Sequence, residues 1–112
     1  MAYVPERGDL VWVSLDPQSG HEQKGRRPVL VLSPAAYNGV VGLFLICPVT
    51  SKSKGYPFEV LLESGGEIEG VVLADQVKSL DWRVRNAAFI ERVSDQVVDE
   101  CVAKASALLE GV

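Results

Sequence analysis

The stretch GDLVWVSLD, Gly8 to Asp16, decides the fold class. Val11, Val13 and Leu15 fall on one face and Leu10, Trp12 and Ser14 on the other, which is the two-residue period of a β-strand. Pro17 and Gly20 then interrupt it. The polar segment PQSGHEQKGRR, Pro17 to Arg27, has no apolar periodicity and is predicted as a long loop, the kind of segment on which binding groups sit. Val29 to Leu32, bounded by Pro28 and Pro34, reads as a short buried strand, and Pro34 to Asn38 as a single helical turn. LFLICPV, Leu43 to Val49, is a further strand. Pro48 cannot donate to a ladder and must lie near its end or at a bulge, so Thr50 emerges at the strand terminus.

Ser51 to Pro57, SKSKGYP, reads as a turn, followed by strands at Phe58 to Leu62, Val71 to Val77 and Ala87 to Val93. Short strands with a turn roughly every dozen residues predict an all-β barrel or sandwich instead of alternating βαβ units. Beyond the single turn at Pro34 to Asn38, helix is expected only at the carboxyl end. There Ser94 is a candidate N-cap, Asp95 complements the helix dipole, and Val97, Val98, Cys101, Val102, Ala105, Leu108 and Leu109 recur at helical spacing up to Gly111.

The chain has 112 residues, of which 47% are hydrophobic and 23% charged, as expected of one globular domain spanning residues 1–112. Two cysteines without a CxxC pair and a single histidine suit neither a zinc site nor a disulfide framework, so no metal or cofactor is expected and a reducing, cytoplasmic setting is. No run approaches the ~18 apolar residues of a membrane span. The formal net charge of −4 hides a strong asymmetry. Lys24, Arg26, Arg27, Lys52 and Lys54 form a basic block without an acidic residue, whereas Glu59, Glu63, Glu67, Glu69 and Asp75 follow without a basic one. The basic block is the electrostatic footprint of a nucleic-acid partner.

Among reactive side chains, His21 reads as a surface-loop histidine. Cys47 sits in an apolar strand where desolvation disfavours the thiolate, and Cys101 reads as core filling. The blocks EQKGRRP, Glu22 to Pro28, and PVTSKSKGYP, Pro48 to Pro57, each leave a strand edge with guanidinium, ammonium and hydroxyl groups. Such groups suit a phosphodiester, because a guanidinium fork binds phosphate oxygens and a hydroxyl adds a directed hydrogen bond as charge builds in the transition state.

Four blocks in order, GDLVWVSLDP, EQKGRRPVLVLSP, PVTSKSKGYPFEV and GVVLADQVKSLDW, resemble the MazF/PemK (Kid) family of toxin endoribonucleases and cover most of the chain. The resemblance implies a mainly β fold: a small SH3-like barrel of the CcdB/MazF type with a C-terminal α-helix, working as a homodimer. It implies sequence-specific, metal-independent cleavage of single-stranded RNA to 2′,3′-cyclic phosphate and 5′-hydroxyl ends, and inhibition of growth through messenger RNA. It also implies a MazE-like antitoxin with an acidic extended tail. The family's catalytic arginine directly precedes a proline and so falls on Arg27, with Arg26 auxiliary; its threonine falls on Thr50. RNA-binding groups are expected at Glu22, Gln23, Lys24, Arg26, Lys52, Lys54, Tyr56 and Gln76. Glu22 doubles as a candidate base for the 2′-hydroxyl, and Tyr56 and the two tryptophans are as readily explained by core packing. An alternative on the same fold is a non-enzymatic gyrase poison like CcdB, which relies on a tryptophan near the chain end. Here the last tryptophan is Trp82.

Overall fold

A computed structural model describes residues 2–14 and 25–111. The elements run β1 (Asp9–Ser14), β2 (Arg26–Val31), α1 (Ala35–Val41), β3 (Leu43–Thr50), β4 (Glu59–Leu61), β5 (Val71–Leu73), β6 (Lys78–Asp81), β7 (Ala88–Arg92) and α2 (Asp95–Leu109). All seven strands join one antiparallel sheet in the order β4-β5-β3-β2-β1-β7, with β6 also on β3. This is the mainly β, barrel-like fold with a C-terminal helix that the sequence led us to expect. No ladder among the described residues joins β4 to β7, so the sheet curls without closing.

The central strands are apolar on both faces because each face has its own core. Leu10, Leu30, Cys47 and Val49 point to one side, where Val60 and Val72 of the β4–β5 hairpin and Val97 and Cys101 of α2 cover them. Val11, Val13, Val29, Val31, Phe44 and Ile46 point to the other, roofed by Trp82. Full burial of an aliphatic side chain contributes roughly 1.5–3 kcal/mol, so these two layers hold most of the folding free energy. Leu10 and Val11, on opposite faces of β1 as the alternation predicts, are both buried, in different cores.

Three further boundaries differ from expectation. β2 begins at Arg26, because Arg26 and Arg27 pair with Ser14 and Val13 of β1; neither arginine belongs to the preceding loop. The predicted strand Val71 to Val77 ends at Leu73, where a turn closed by the Gln76 N–H on the Leu73 carbonyl (3.0 Å) redirects the chain into β6, a strand without apolar alternation. The helical turn after Pro34 extends to Val41. At the carboxyl end, Ser94 caps α2 as read, its hydroxyl oxygen accepting the Val97 N–H at 3.3 Å.

Asn38 is the buried polar knot of the second core. Its amide donates to the Pro5 and Ser33 carbonyls (2.8 and 3.0 Å), its side-chain oxygen accepts the Ser33 hydroxyl (2.6 Å), and its backbone carbonyl accepts Trp82 Nε1 (2.9 Å). Asn38→Ala would strand three buried partners in a protein whose other described buried side-chain polar atoms are all satisfied. The variant is expected to lose about 2–4 kcal/mol in urea unfolding with an unchanged denaturant slope.

Candidate active site

Strand alternation builds the site. Arg27 lies on the same face of β2 as Val29 and Val31, and Thr50 on the same face of β3 as Phe44 and Ile46. The β2–β3 register pairs Val29 with Pro48 and Leu30 with Cys47. The paired residues stop at Val29 and Pro48, so Arg27 and Thr50 lie just beyond the β2–β3 ladder, and the backbone of Thr50 pairs with Val71 of β5. Arg27 is itself fixed on the ladder to β1, opposite Val13.

Two open clefts meet at this pair. The first, about 320 Å³, has an apolar floor that includes Val13, Val29 and Leu80, and a polar rim of Arg27, Thr50, Gln76, Lys78 and Arg85. The second, about 350 Å³, places Arg27, Thr50, Ser51 and Lys52 against Glu67 and Glu69. Arg27 and Thr50 therefore form the ridge that both clefts share. The Thr50 hydroxyl oxygen accepts the Lys52 N–H at 3.2 Å, which orients it while leaving its own proton for an external acceptor.

Of the residues singled out in the sequence, the structure brings Arg27, Thr50, Lys52 and Gln76 together. Arg26 points to the opposite face of β2, its guanidinium stacked 5.2 Å over the Trp12 ring, away from both clefts. Lys54 and Tyr56 lie exposed on the β3–β4 turn and line neither cleft. Glu22, Gln23, Lys24 and His21 lie outside the described residues. Trp82 is core, 7% exposed. Burial pushes the thiols of Cys47 and Cys101 up to about 12, which leaves neither as a nucleophile near neutrality. Among the described residues, no group of three or more His, Cys, Asp or Glu side chains is placed to hold a metal ion, and no helix is long and apolar enough to cross a membrane.

Sequence reasoning missed Lys78 and Arg85, because β6 and the turn after it reach the cleft only through the tertiary pairing of β6 with β3. Arg85 is tied to the end of β1, donating to the Ser14 carbonyl at 3.0 Å and accepting the Ser14 N–H at 2.9 Å. It also missed Glu59. That carboxylate accepts the Ser53 hydroxyl (2.6 Å) and the N–H groups of Lys54 (2.8 Å) and Gly55 (3.2 Å), and so shapes the turn that carries Lys52 and Lys54. Lys104 of α2 holds the same turn from outside, donating to the carbonyls of Pro57 and Glu59.

With this geometry in view, comparison with known proteins is direct. Residues 6–109 match the family of PemK-like, MazF-like toxins of type II toxin-antitoxin systems. The chain is 51% identical over 107 residues to the endoribonuclease toxin MazF of Escherichia coli K12, covering 96% of each protein. It is 41% identical over 108 residues to the Escherichia coli endoribonuclease PemK, covering 93% of this chain and 81% of that one. A crystal structure of MazF from Deinococcus radiodurans superimposes with a TM-score of 0.88 at 56% identity, over 97% of this chain and 99% of the other. A MazE–MazF crystal structure from the same bacterium gives 0.88 at 50% identity, over 97% and 98%. The chain belongs to the PemK/MazF toxin family.

The Ser53 hydroxyl, followed by the Lys54 amide, holds the Glu59 carboxyl below the usual carboxylate range. Because the folded value is depressed, the clamp is complete above the unfolded carboxyl pKa of ~4.3 and is lost only as pH falls through the lower folded value. Glu59→Ala is expected to free the turn at every pH and raise KM for an RNA substrate by roughly three- to tenfold with kcat little changed, since ordering a few side chains costs that much in binding; steady-state kinetics at neutral pH checks it.

Proposed function

We propose that residues 1–112 act as a single toxin domain: a cytoplasmic, sequence-specific, metal-independent endoribonuclease that cuts single-stranded RNA, messenger RNA included, and thereby arrests growth. The observation that carries this reading is that Arg27 and Thr50 line both of two open clefts, at the ridge between them. The names of the relatives support it, since the two Escherichia coli proteins are endoribonucleases.

In this reading the scissile phosphate lies on the ridge and the flanking nucleotides descend into the two clefts. The 2′-oxygen forms a bond to phosphorus as the bond to the 5′-oxygen breaks, which leaves a 2′,3′-cyclic phosphate and a 5′-hydroxyl. Arg27 and the Thr50 hydroxyl face the non-bridging oxygens, where charge accumulates in the phosphorane. The guanidinium of Arg27 is a very weak acid, but the departing alkoxide is more basic than guanidine, so a proton passes from Arg27 to the leaving oxygen and is regained from solvent. The Glu22 carboxylate takes the 2′-hydroxyl proton. Lys52 holds backbone phosphate, Gln76 reads a base edge, and Gln23, Lys24, Lys54 and Tyr56 extend the RNA surface, with Arg26 auxiliary.

Two partners complete the proposal. An antitoxin of the MazE type would lay an acidic extended tail along the basic rim, in keeping with the MazE–MazF complex that the chain resembles. A second copy of the chain would cover the apolar groove of about 470 Å³ formed by Leu32, Leu45, Ala74, Val77, Val102 and Leu108, beside Leu109. The gyrase-poison alternative is not favoured by Trp82, the last tryptophan of the sequence, whose ring is buried and whose N–H is bonded to the Asn38 carbonyl.

Purified protein in EDTA is expected to cut single-stranded RNA, with cyclic phosphate at the mapped ends. Arg27→Ala and Thr50→Ala should each lower kcat by on the order of 100-fold, as removal of an oxyanion donor does, whereas Arg26→Ala should stay within about threefold. RNA left intact by the wild type, or cut as well by either site variant, would falsify the assignment. Leu109 is 89% exposed, so a charge there costs the fold little. Leu109→Glu is expected to convert the dimer to monomer in sedimentation velocity, and an unchanged dimer would place the interface elsewhere.

A further inference from the structure

The segment between β4 and β5 contributes Glu67 and Glu69 to the wall of one cleft, and its far end at Gly70 presses directly on the backbone of Thr50. Gly70 has a φ of +132°, and a Cβ built there would lie 2.2 Å from the Thr50 carbonyl oxygen, 2.9 Å from the Thr50 carbonyl carbon and 3.0 Å from Ser51 Cα. These neighbours are backbone atoms, so no rotamer change relieves the clash. The Gly70 carbonyl accepts the Leu62 N–H at 3.0 Å, which ties the contact to the end of β4. One residue on, Val71 pairs with Thr50.

The far end of the same segment is held by Glu91 of β7. Its carboxylate oxygens accept the N–H groups of Glu67 (3.1 Å) and Ile68 (3.0 Å). A Cβ at Gly66 would lie 2.8 Å from one of those oxygens, so the approach is as close as the chain allows. This contact crosses the seam between β7 and the β4–β5 hairpin that no ladder closes. Glu91 is in turn paired with Leu10 of β1, the strand whose Val13 pairs with Arg27. Arg27 and Thr50 are thus linked on two sides, across the ridge that both clefts share and around the outside through β1, Glu91, the 66–70 segment and Gly70.

We infer that Gly70 and Glu91 are positioning residues for the Thr50 hydroxyl, Gly70 by allowing contact with the Thr50 carbonyl and Glu91 by fixing the segment that carries Gly70. The inference rests on Thr50 being a catalytic group. Neither Gly70 nor Glu91 lines either cleft beside Arg27, so neither is placed to bind RNA.

Gly70→Ala, Glu91→Gln and Thr50→Ala, prepared in the full chain, separate the possibilities. The substrate is a single-stranded RNA that the wild type cuts, and the binding probe is the same strand with 2′-deoxyribose at the cut nucleotide. Gly70→Ala is expected to lower kcat by on the order of 100-fold, as an ångström of misplacement does, and Glu91→Gln by about fivefold. KM and affinity for the deoxy strand should stay within about threefold, since positioning acts on the transition state and not on ground-state binding. Wild-type kcat in both variants while Thr50→Ala is inactive overturns the positioning role alone. A rise in KM at constant kcat overturns it as well, by making the segment a binding element. Full activity in Thr50→Ala overturns the Thr50 assignment on which the inference rests. Should Gly70→Ala not fold, Glu91→Gln decides on the same criteria, because it leaves the backbone approach at Gly70 untouched.

Discussion

The structure depends on how β3 divides its edges. Along one edge it pairs with β2 over Ile46 to Pro48; along the other it pairs first with β6 over Leu43 to Ile46 and then with β5 at Val49 and Thr50. The change of partner falls beside Pro48, which has no N–H to commit to either side. Thr50 leaves β2 at that point and is captured by β5. That switch of partner puts half-buried Thr50 beside exposed Arg27 where the two clefts meet.

The charges follow the same geometry. The chain is acidic as a whole, yet Arg27, Lys52, Lys78 and Arg85 converge on the two clefts while Glu67 and Glu69 form the facing wall of one. An RNA strand would meet a positive ridge bounded by negative charge. Contact with phosphate is then favoured along the ridge and disfavoured beside it, which narrows the register a strand can adopt in a way that an evenly basic surface would not.

How much of this the sequence carried can be argued residue by residue. The strands with a clear two-residue period, the N-cap at Ser94 and the terminal position of Thr50 were legible because each depends on neighbours close in the chain. The Arg26–Arg27 doublet was not resolved by composition, since KGRRP reads as loop. Pairing with β1 puts both residues on a strand, and alternation then sends Arg27 to the clefts and Arg26 onto Trp12. β6 was missed because KSLD has no apolar alternation and is a strand only through its partner β3. Glu59, Gly70 and Glu91 were missed for a related reason. A carboxylate bonded to backbone N–H groups, or a glycine against a distant carbonyl, leaves no pattern in its own neighbourhood.

The polar residues also separate by position along the strands. At the start of β1, buried Asp9 accepts hydrogen bonds from the Tyr3 hydroxyl (2.5 Å) and the Glu6 N–H (3.0 Å) and pairs with Arg92 at 3.0 Å; burial together with this carboxylate raises the Tyr3 pKa well above its ordinary value. Ser33 and Asn38 tie the end of β2 to the start of β3 through the Leu45 N–H on the Ser33 hydroxyl. Antiparallel pairing puts both knots at one end of the β1–β2–β3 unit. Val13, Arg27 and Thr50 lie at the other, roughly 13–20 Å away at the rise of an extended strand. Buried, fully bonded polar groups make one end rigid, and a rigid base lets exposed side chains at the other end keep a defined geometry without being buried themselves. In the proposed reading, stability and chemistry therefore fall at opposite ends of the same three strands. A guanidinium and a hydroxyl suit the exposed end because neither needs a desolvated, pKa-shifted environment to act on a phosphodiester.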